Sequence, residues 1–227
     1  MACLFIGRPF FMKIDKTLIK IYDRLYDSYG PQHWWPGDTR FEIIVGAILT
    51  QNTAWSNVEK AIKNLKRARA LSAGAMKRIS MKKLAGLIRP AGYYNIKAKR
   101  LKHFIGFLFD QYGGDLRKMA RRETAALRHE LLGVNGIGPE TCDSILLYAF
   151  NRPAFVIDAY TKRVFSRHGF YKDSVDYHLA QDFFVERLPA DARLFNEYHA
   201  LIVRLAKEHC RTVPECEGCP INGLKCS

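Results

Sequence analysis

Apolar residues along this chain return at helical spacing, and no clear run alternates with the period of two that a half-buried strand requires. Ile14, Leu18, Ile21, Leu25 and Tyr29 form one stripe over residues 13–29, closed by Gly30. The segment FEIIVGAILT is apolar almost all round and reads as a buried helix. Thr53 is placed to cap the next helix, whose Val58, Ile62 and Leu65 face inward. A helix over residues 80–88 ends before Pro90 and Gly92, and a long one runs from an Asn95 cap to Gly113 and Gly114. ETAALRHELLGV is helical, and later helices are expected over residues 159–167, 175–188 and 192–210. The result is an all-α fold of about ten helices with short connections, without internal repeats or a low-complexity linker.

The 227 residues are 48% apolar, enough for one globular unit or two small lobes. Formal net charge is +14, spread along the chain rather than gathered in a tail. A basic folded surface favours a polyanion partner, most often nucleic acid. The longest apolar stretch is broken by Glu42 and is too short to span a bilayer. The opening MACLFIGRPFFMK lacks a basic leader and is interrupted by Arg8-Pro9, so no signal peptide is expected. Met12 is a second candidate start. These features predict a protein that is not secreted and does not enter a membrane.

GVNGIGPETCDSIL places a short glycine turn between two helical runs, with Pro139 suited to the first position of the second. The amides of Gly136, Ile137 and Gly138 lie at or near that helix's N-terminus, where unpaired N–H groups and the helix dipole favour a phosphate. Such a contact grips a nucleic-acid backbone without reading its sequence. A plain αα-corner with a glycine cap is the alternative.

The segments FEIIVGAILTQNTAW, RPAGYYNIKAKRL, GVNGIGPETCDSIL, FVIDAYTKRVFSRHGF and a group of terminal cysteines occur in the order found in one family. Together they resemble the helix-hairpin-helix DNA glycosylases of the endonuclease III superfamily, over nearly the whole chain. The first two, with WWPG, are most similar to the 3-methyladenine-type branch. The resemblance implies two helical lobes. Residues 39–150 would form a six-helix barrel carrying the helix-hairpin-helix at about 124–150. Residues 1–38 and 151–209 would form a second lobe, closed by a cluster loop at 210–227. The resemblance also implies a cytoplasmic, nucleoid-associated protein of prokaryotic type.

The resemblance implies that Asp158, twenty residues past Gly138, is the catalytic carboxylate. Phe155, Val156 and Ile157 before it would partly desolvate it, and an N-cap aspartate can also face a cleft. Bifunctional members carry a lysine in the hairpin's second helix, whose amine attacks the sugar to form an imine. Aligned on the glycines and Thr141, that position is Glu140, which cannot form one. Lys162 follows Asp158 by one turn but matches no family nucleophile. A monofunctional enzyme using water is therefore expected, hydrolysing the N-glycosidic bond of a flipped damaged base in double-stranded DNA. The alternatives are a bifunctional glycosylase with abasic-site lyase activity and a non-catalytic module that binds distorted DNA. Trp34, Trp35 and Trp55 are candidates for the base pocket, with core packing as the alternative, and indole stacking favours a cationic alkylated purine. With one obvious carboxylate, no strong general acid is expected. Gln51, by family position, is the candidate wedge into the vacated stack. Gly136, Ile137, Gly138 and Thr141 form the phosphate-binding set. Lys97, Lys99 and Arg100 either touch phosphate or line a solvated face, and Tyr93 and Tyr94 belong to core or rim.

Cys210, Cys216, Cys219 and Cys226 fall in the last 18 residues with spacing C-x5-C-x2-C-x6-C. Four thiolates in one short loop can ligate a [4Fe-4S] cluster. Zinc is the alternative, although only Cys216 and Cys219 form a close knuckle. The family's usual spacing differs by one residue in the first and last gaps. The cluster would order an otherwise weakly apolar tail and present Lys207, Arg211 and Lys225 to DNA. A monomer is expected.

Overall fold

A computed structural model describes residues 14–224. It is all-α among these residues, as the periodicity predicts. The helices are α1 (Lys16–Tyr29), α2 (Arg40–Thr50), α3 (Trp55–Arg67), α4 (Ala73–Arg78), α5 (Met81–Leu87), α6 (Tyr94–Tyr112), α7 (Leu116–Ala120) and α8 (Thr124–Leu132). After the hairpin come α9 (Pro139–Ser144), α10 (Ala159–Arg167), α11 (Tyr177–Val185) and α12 (Ala192–Glu208). No helix among the described residues is long and apolar enough to cross a membrane.

Capping explains most boundaries. Asp15, not a residue at 13, starts α1: its Oδ1 accepts from the Thr17 amide at 2.7 Å, and Ile14 lies outside the helix, exposed. Thr39 caps α2, and Gly30 ends α1 in the left-handed region. Two expected caps fail. Ala54, without a side-chain cap, precedes α3, because the Thr53 hydroxyl donates to the Ala91 carbonyl at 2.5 Å. Tyr93, in the left-handed conformation, precedes α6, so Asn95 already lies inside the helix. The short α4 and α7 were not expected, since five or six residues show too little of a 3.6-residue period.

Two apolar cores organise the helices. One gathers α2 to α9 around Ile44, Ile48, Leu101, Phe104 and Ile145. The other packs α1, α10, α11 and α12 around Phe155, Phe165, Phe184 and Tyr198. Phe155 stacks on Phe184 with centroids 4.0 Å apart, and the buried Tyr198 hydroxyl donates to Leu18 O, tying α12 to α1. Beyond α9 the chain widens into a π-turn at residues 145–149, where Leu147 and Tyr148 turn toward the second core.

One buried carboxylate joins the halves. Asp143, fully buried on α9, accepts from Arg128 Nε of α8 at 2.8 Å and from Gln181 Nε2 and Tyr177 Oη of α11 at 2.8 and 2.9 Å. Gln181 also donates to Phe155 O, and Tyr177 Oη accepts from the Ile157 amide. The segment leading to Asp158 is thereby clamped to the hairpin. Asp143→Ala removes the charge partner of Arg128 and one of the two acceptors of the Gln181 amide. Arg128 is partly exposed and can be resolvated, so the expected loss is about 3 kcal/mol, the low end for breaking a buried pair, measurable by urea unfolding.

Candidate active site

Asp158 stands at the end of the buried Phe155–Val156–Ile157 segment and is the N-cap of α10. Its Oδ1 accepts from the Thr161 amide at 2.7 Å, and its Oδ2 faces His199 Nε2 at 3.5 Å. Burial pushes the Asp158 carboxyl up, but the attraction of His199 and the hydrogen bonding of Thr161 outweigh it, and the net direction is down. His199 is itself buried, with Nδ1 2.6 Å from Tyr148 Oη. The N-cap role and the cleft-facing role of Asp158 coexist.

A cavity of about 180 Å³ opens over this carboxylate, lined by Trp34, Trp35, Trp55, Glu140, Tyr160 and Lys207 among others. The three indoles meet as a triangle with centroids 5.1, 5.1 and 4.9 Å apart. Trp35 also rests on Tyr148, and Trp55 Nε1 donates to Glu59. Each tryptophan packs on a core and also lines the cavity. Gly46 on α2 permits the approach of Trp35, whose Nε1 would lie 3.2 Å from a Cβ there.

Glu140, in the first turn of α9, opens into the same cavity, so the site holds two carboxyls rather than the one expected. Water reaches it, but the surrounding protein and the Asp158 charge raise its pKa to about 7, against the opposing influence of His199 and Lys162. Lys162 points away, donating to Val175 O at 2.7 Å. Lys207 supplies an amine at the cavity wall, beside Tyr160. Tyr160, His199 and the cavity position of Lys207 were not expected from sequence. His199 had a signal, because it interrupts the buried α12 face formed by Phe195, Ile202 and Ala206.

The hairpin leaves open only part of the set expected to meet a phosphate. Gly136 has φ +91°, and a Cβ there would lie 2.3 Å from Arg100 Cγ. Gly138 precedes α9 with no side-chain cap. The buried Ile137, however, already donates its amide to Val134 O, and the buried Thr141 accepts from Gln51 Nε2 at 2.8 Å. Gly136 and Gly138 therefore carry the open amides, and Ile137 and Thr141 hold the turn from inside. Gln51 is pinned by the same contacts, donating to Gly136 O at 3.0 Å and accepting from Arg100. Lys97 neither touches solvent nor is free for phosphate. It is buried, donating to Leu49 O and Ala91 O at 2.8 and 2.7 Å, and burial lowers its pKa to about 8. Lys99 and Tyr93 are exposed, and Tyr94 packs on the first core.

Three of the four terminal cysteines follow α12. Cys210 is buried, with Arg167 Nη1 3.4 Å from its Sγ, while Cys216 is exposed and Cys219 half-buried. Burial raises the Cys219 thiol, and the nearby Cys216 and Cys210 add to it. Among the described residues no three side chains form a closed metal-binding group, and Cys226 and Lys225 lie outside the described residues. A set of thiols on one loop has the chemistry for an iron–sulfur cluster or zinc. Cys142, by contrast, is buried alone in the first core, its thiol pushed up to about 12.

Gly136→Ala would combine a left-handed backbone with the Arg100 clash, and is expected to cost about 1–3 kcal/mol of stability and to weaken duplex binding, read by thermal unfolding and fluorescence anisotropy.

Comparison with known proteins agrees with this geometry. The pattern of the HhH-GPD superfamily of base excision DNA repair proteins matches residues 45–190. A Methanocaldococcus jannaschii protein named as a DNA repair glycosylase is 50% identical over 214 residues, covering 92% of this chain and 97% of that one. Endonuclease III of Sulfolobus acidocaldarius is 30% identical over 188 residues, covering 82% of each. The solved structure of the Helicobacter pylori 3-methyladenine DNA glycosylase bound to 1,N6-ethenoadenine superposes with TM-score 0.74 at 29% identity, covering 84% of this chain and 97% of that one. An endonuclease III–DNA complex shares the fold, with TM-score 0.78 at 21% identity over 92% of this chain and 93% of that one. With the clamped hairpin, the cleft aspartate and a match spanning most of its length, the chain belongs to the HhH-GPD superfamily of base excision DNA repair proteins and to the DNA glycosylase class of enzymes.

Proposed function

We propose that this glycosylase is monofunctional, hydrolysing the N-glycosidic bond of a damaged base flipped from double-stranded DNA, with an alkylated purine favoured. The observation that carries this reading is an Asp158 carboxylate beneath three converging indoles, with Glu140 at the hairpin position where an amine would be needed. As the bond breaks, positive charge builds on the sugar, and Asp158, held anionic by His199 and Thr161, stabilises it and orients water. Indole faces would stabilise a cationic base by roughly 0.5–2 kcal/mol. The Helicobacter pylori relative's action on 3-methyladenine supports the same preference.

The open amides of Gly136 and Gly138 would hold a backbone phosphate, and Gln51 would enter the vacated stack after leaving its hairpin contacts. Two apolar cores support a division into a barrel at 39–150 and a cluster lobe around it. Cys210, Cys216, Cys219 and Cys226 would hold a [4Fe-4S] cluster that orders the C-terminal loop, with zinc as the rival. The protein would act as a monomer. One observation favours a second reading: the Lys207 amine at the cavity wall could capture the sugar and give lyase activity.

Incubation with lesion-bearing duplexes should release the free base, identified by mass, and leave an unbroken abasic strand. A borohydride-trapped adduct that disappears in Lys207→Ala would establish the second reading instead. Asp158→Asn keeps a capping side chain, so folding and duplex binding should persist while release falls at least about 100-fold. Because Asp158 is held below its usual range, its contribution should be lost only as pH falls into acid. The purified protein should show iron and broad visible absorbance, both lost in Cys219→Ser; zinc without colour would replace the cluster assignment.

A further inference from the structure

We propose that Glu140 is a second catalytic group, the proton donor to the departing base, and that the cavity therefore accepts neutral damaged purines as well as cationic ones. This rests on the glycosylase reading and extends it to a substrate class. Glu140 sits in the first turn of α9 and lines the cavity that holds Asp158 and the three tryptophans. Among the described residues its carboxyl makes no ion pair, so it is free to turn toward a bound base. The charged and titratable groups around it are Asp158, Tyr160 and Lys162 from α10, His199 and Lys207 from α12, and Tyr148 and Tyr177.

The two carboxyls are driven in opposite directions. Asp158 is held ionised, whereas the surrounding protein and the Asp158 charge raise the pKa of the solvent-exposed Glu140 to about 7. A pair of acids separated in this way divides proton donation from cation stabilisation. A cationic purine leaves as a neutral molecule without help. A neutral purine would leave as an anion unless a proton arrives as the C1′–N bond breaks. Glu140 gives that proton to a ring nitrogen while the glycosidic electron pair goes to the base. Asp158 faces the sugar cation, and water adds its oxygen to C1′. The proton released by that water returns through Asp158 or solvent to the Glu140 carboxylate, restoring the site with no other reactant.

The test compares wild type, Glu140→Gln and Glu140→Asp on one duplex carrying 3-methyladenine and another carrying 1,N6-ethenoadenine, in single turnover across pH. In Glu140→Gln the ratio of neutral to cationic release should fall roughly 100-fold, the usual worth of a positioned general acid. Wild-type release of the neutral base should decline as pH rises through about 7. That limb should vanish in Glu140→Gln and persist, displaced, in Glu140→Asp, which also covers the case of a poorly folded glutamine variant. Equal slowing on both duplexes, an unaltered alkaline limb, or a wild type that releases only the cationic base would overturn the proposal. A wild type that releases neither would refute the glycosylase reading itself, and this proposal with it.

Discussion

The buried Asp143 carboxylate is the constraint on which the site's geometry depends. A charge taken out of water is costly unless its acceptor positions are filled, and here Arg128, Tyr177 and Gln181 fill them. Two of these partners reach onward to the backbone of Phe155 and Ile157, the residues that deliver Asp158. A single network therefore sets α9, which carries Glu140, relative to the segment ending in Asp158. An apolar contact could hold the same surfaces together, but it would not fix their register, because apolar attraction has no direction.

That register brings together residues with opposed electrostatic surroundings. Asp158 has a backbone amide and an imidazole to hold its charge. Glu140, eighteen positions earlier, is open to water on one side and has the cavity and the charge of Asp158 on the other. Both are carboxylic acids, and only their neighbours distinguish them. The hairpin shows the same economy of means: the Gln51 amide spans Gly136 O and Thr141 Oγ1, so the turn with the open glycine amides is also fastened to the base of the cavity.

Much of this was legible beforehand because it follows from local rules. The α1 stripe of Leu18, Ile21 and Leu25 is fully buried, Gly30 and Gly113 end their helices in the left-handed region, and Pro139 opens α9. Expectations failed where a distant partner outbid the local one. Thr53 left its capping position for the Ala91 carbonyl, and Lys97, in a basic run that reads as solvated, turned inward to satisfy Leu49 O and Ala91 O. A lysine with a long apolar stem can do this only when the chain happens to leave carbonyls within reach. Composition within IKAKR does not distinguish Lys97 from Lys99; only the register of the apolar stripe Leu101, Phe104 and Leu108 does.

By itself, the sequence determined the all-α class, the glycine hairpin, the aspartate at a helix start and the crowding of cysteines at the C-terminus. Each depends on spacing along the chain, whether helical period, capping chemistry or the freedom of glycine. Only the tertiary structure decided that Trp34, Trp35 and Trp55 converge, that His199 supports Asp158, and that Glu140 shares its cavity. Those residues are separated by up to 165 positions, and their meeting depends on two cores and a buried ion pair rather than on any local pattern.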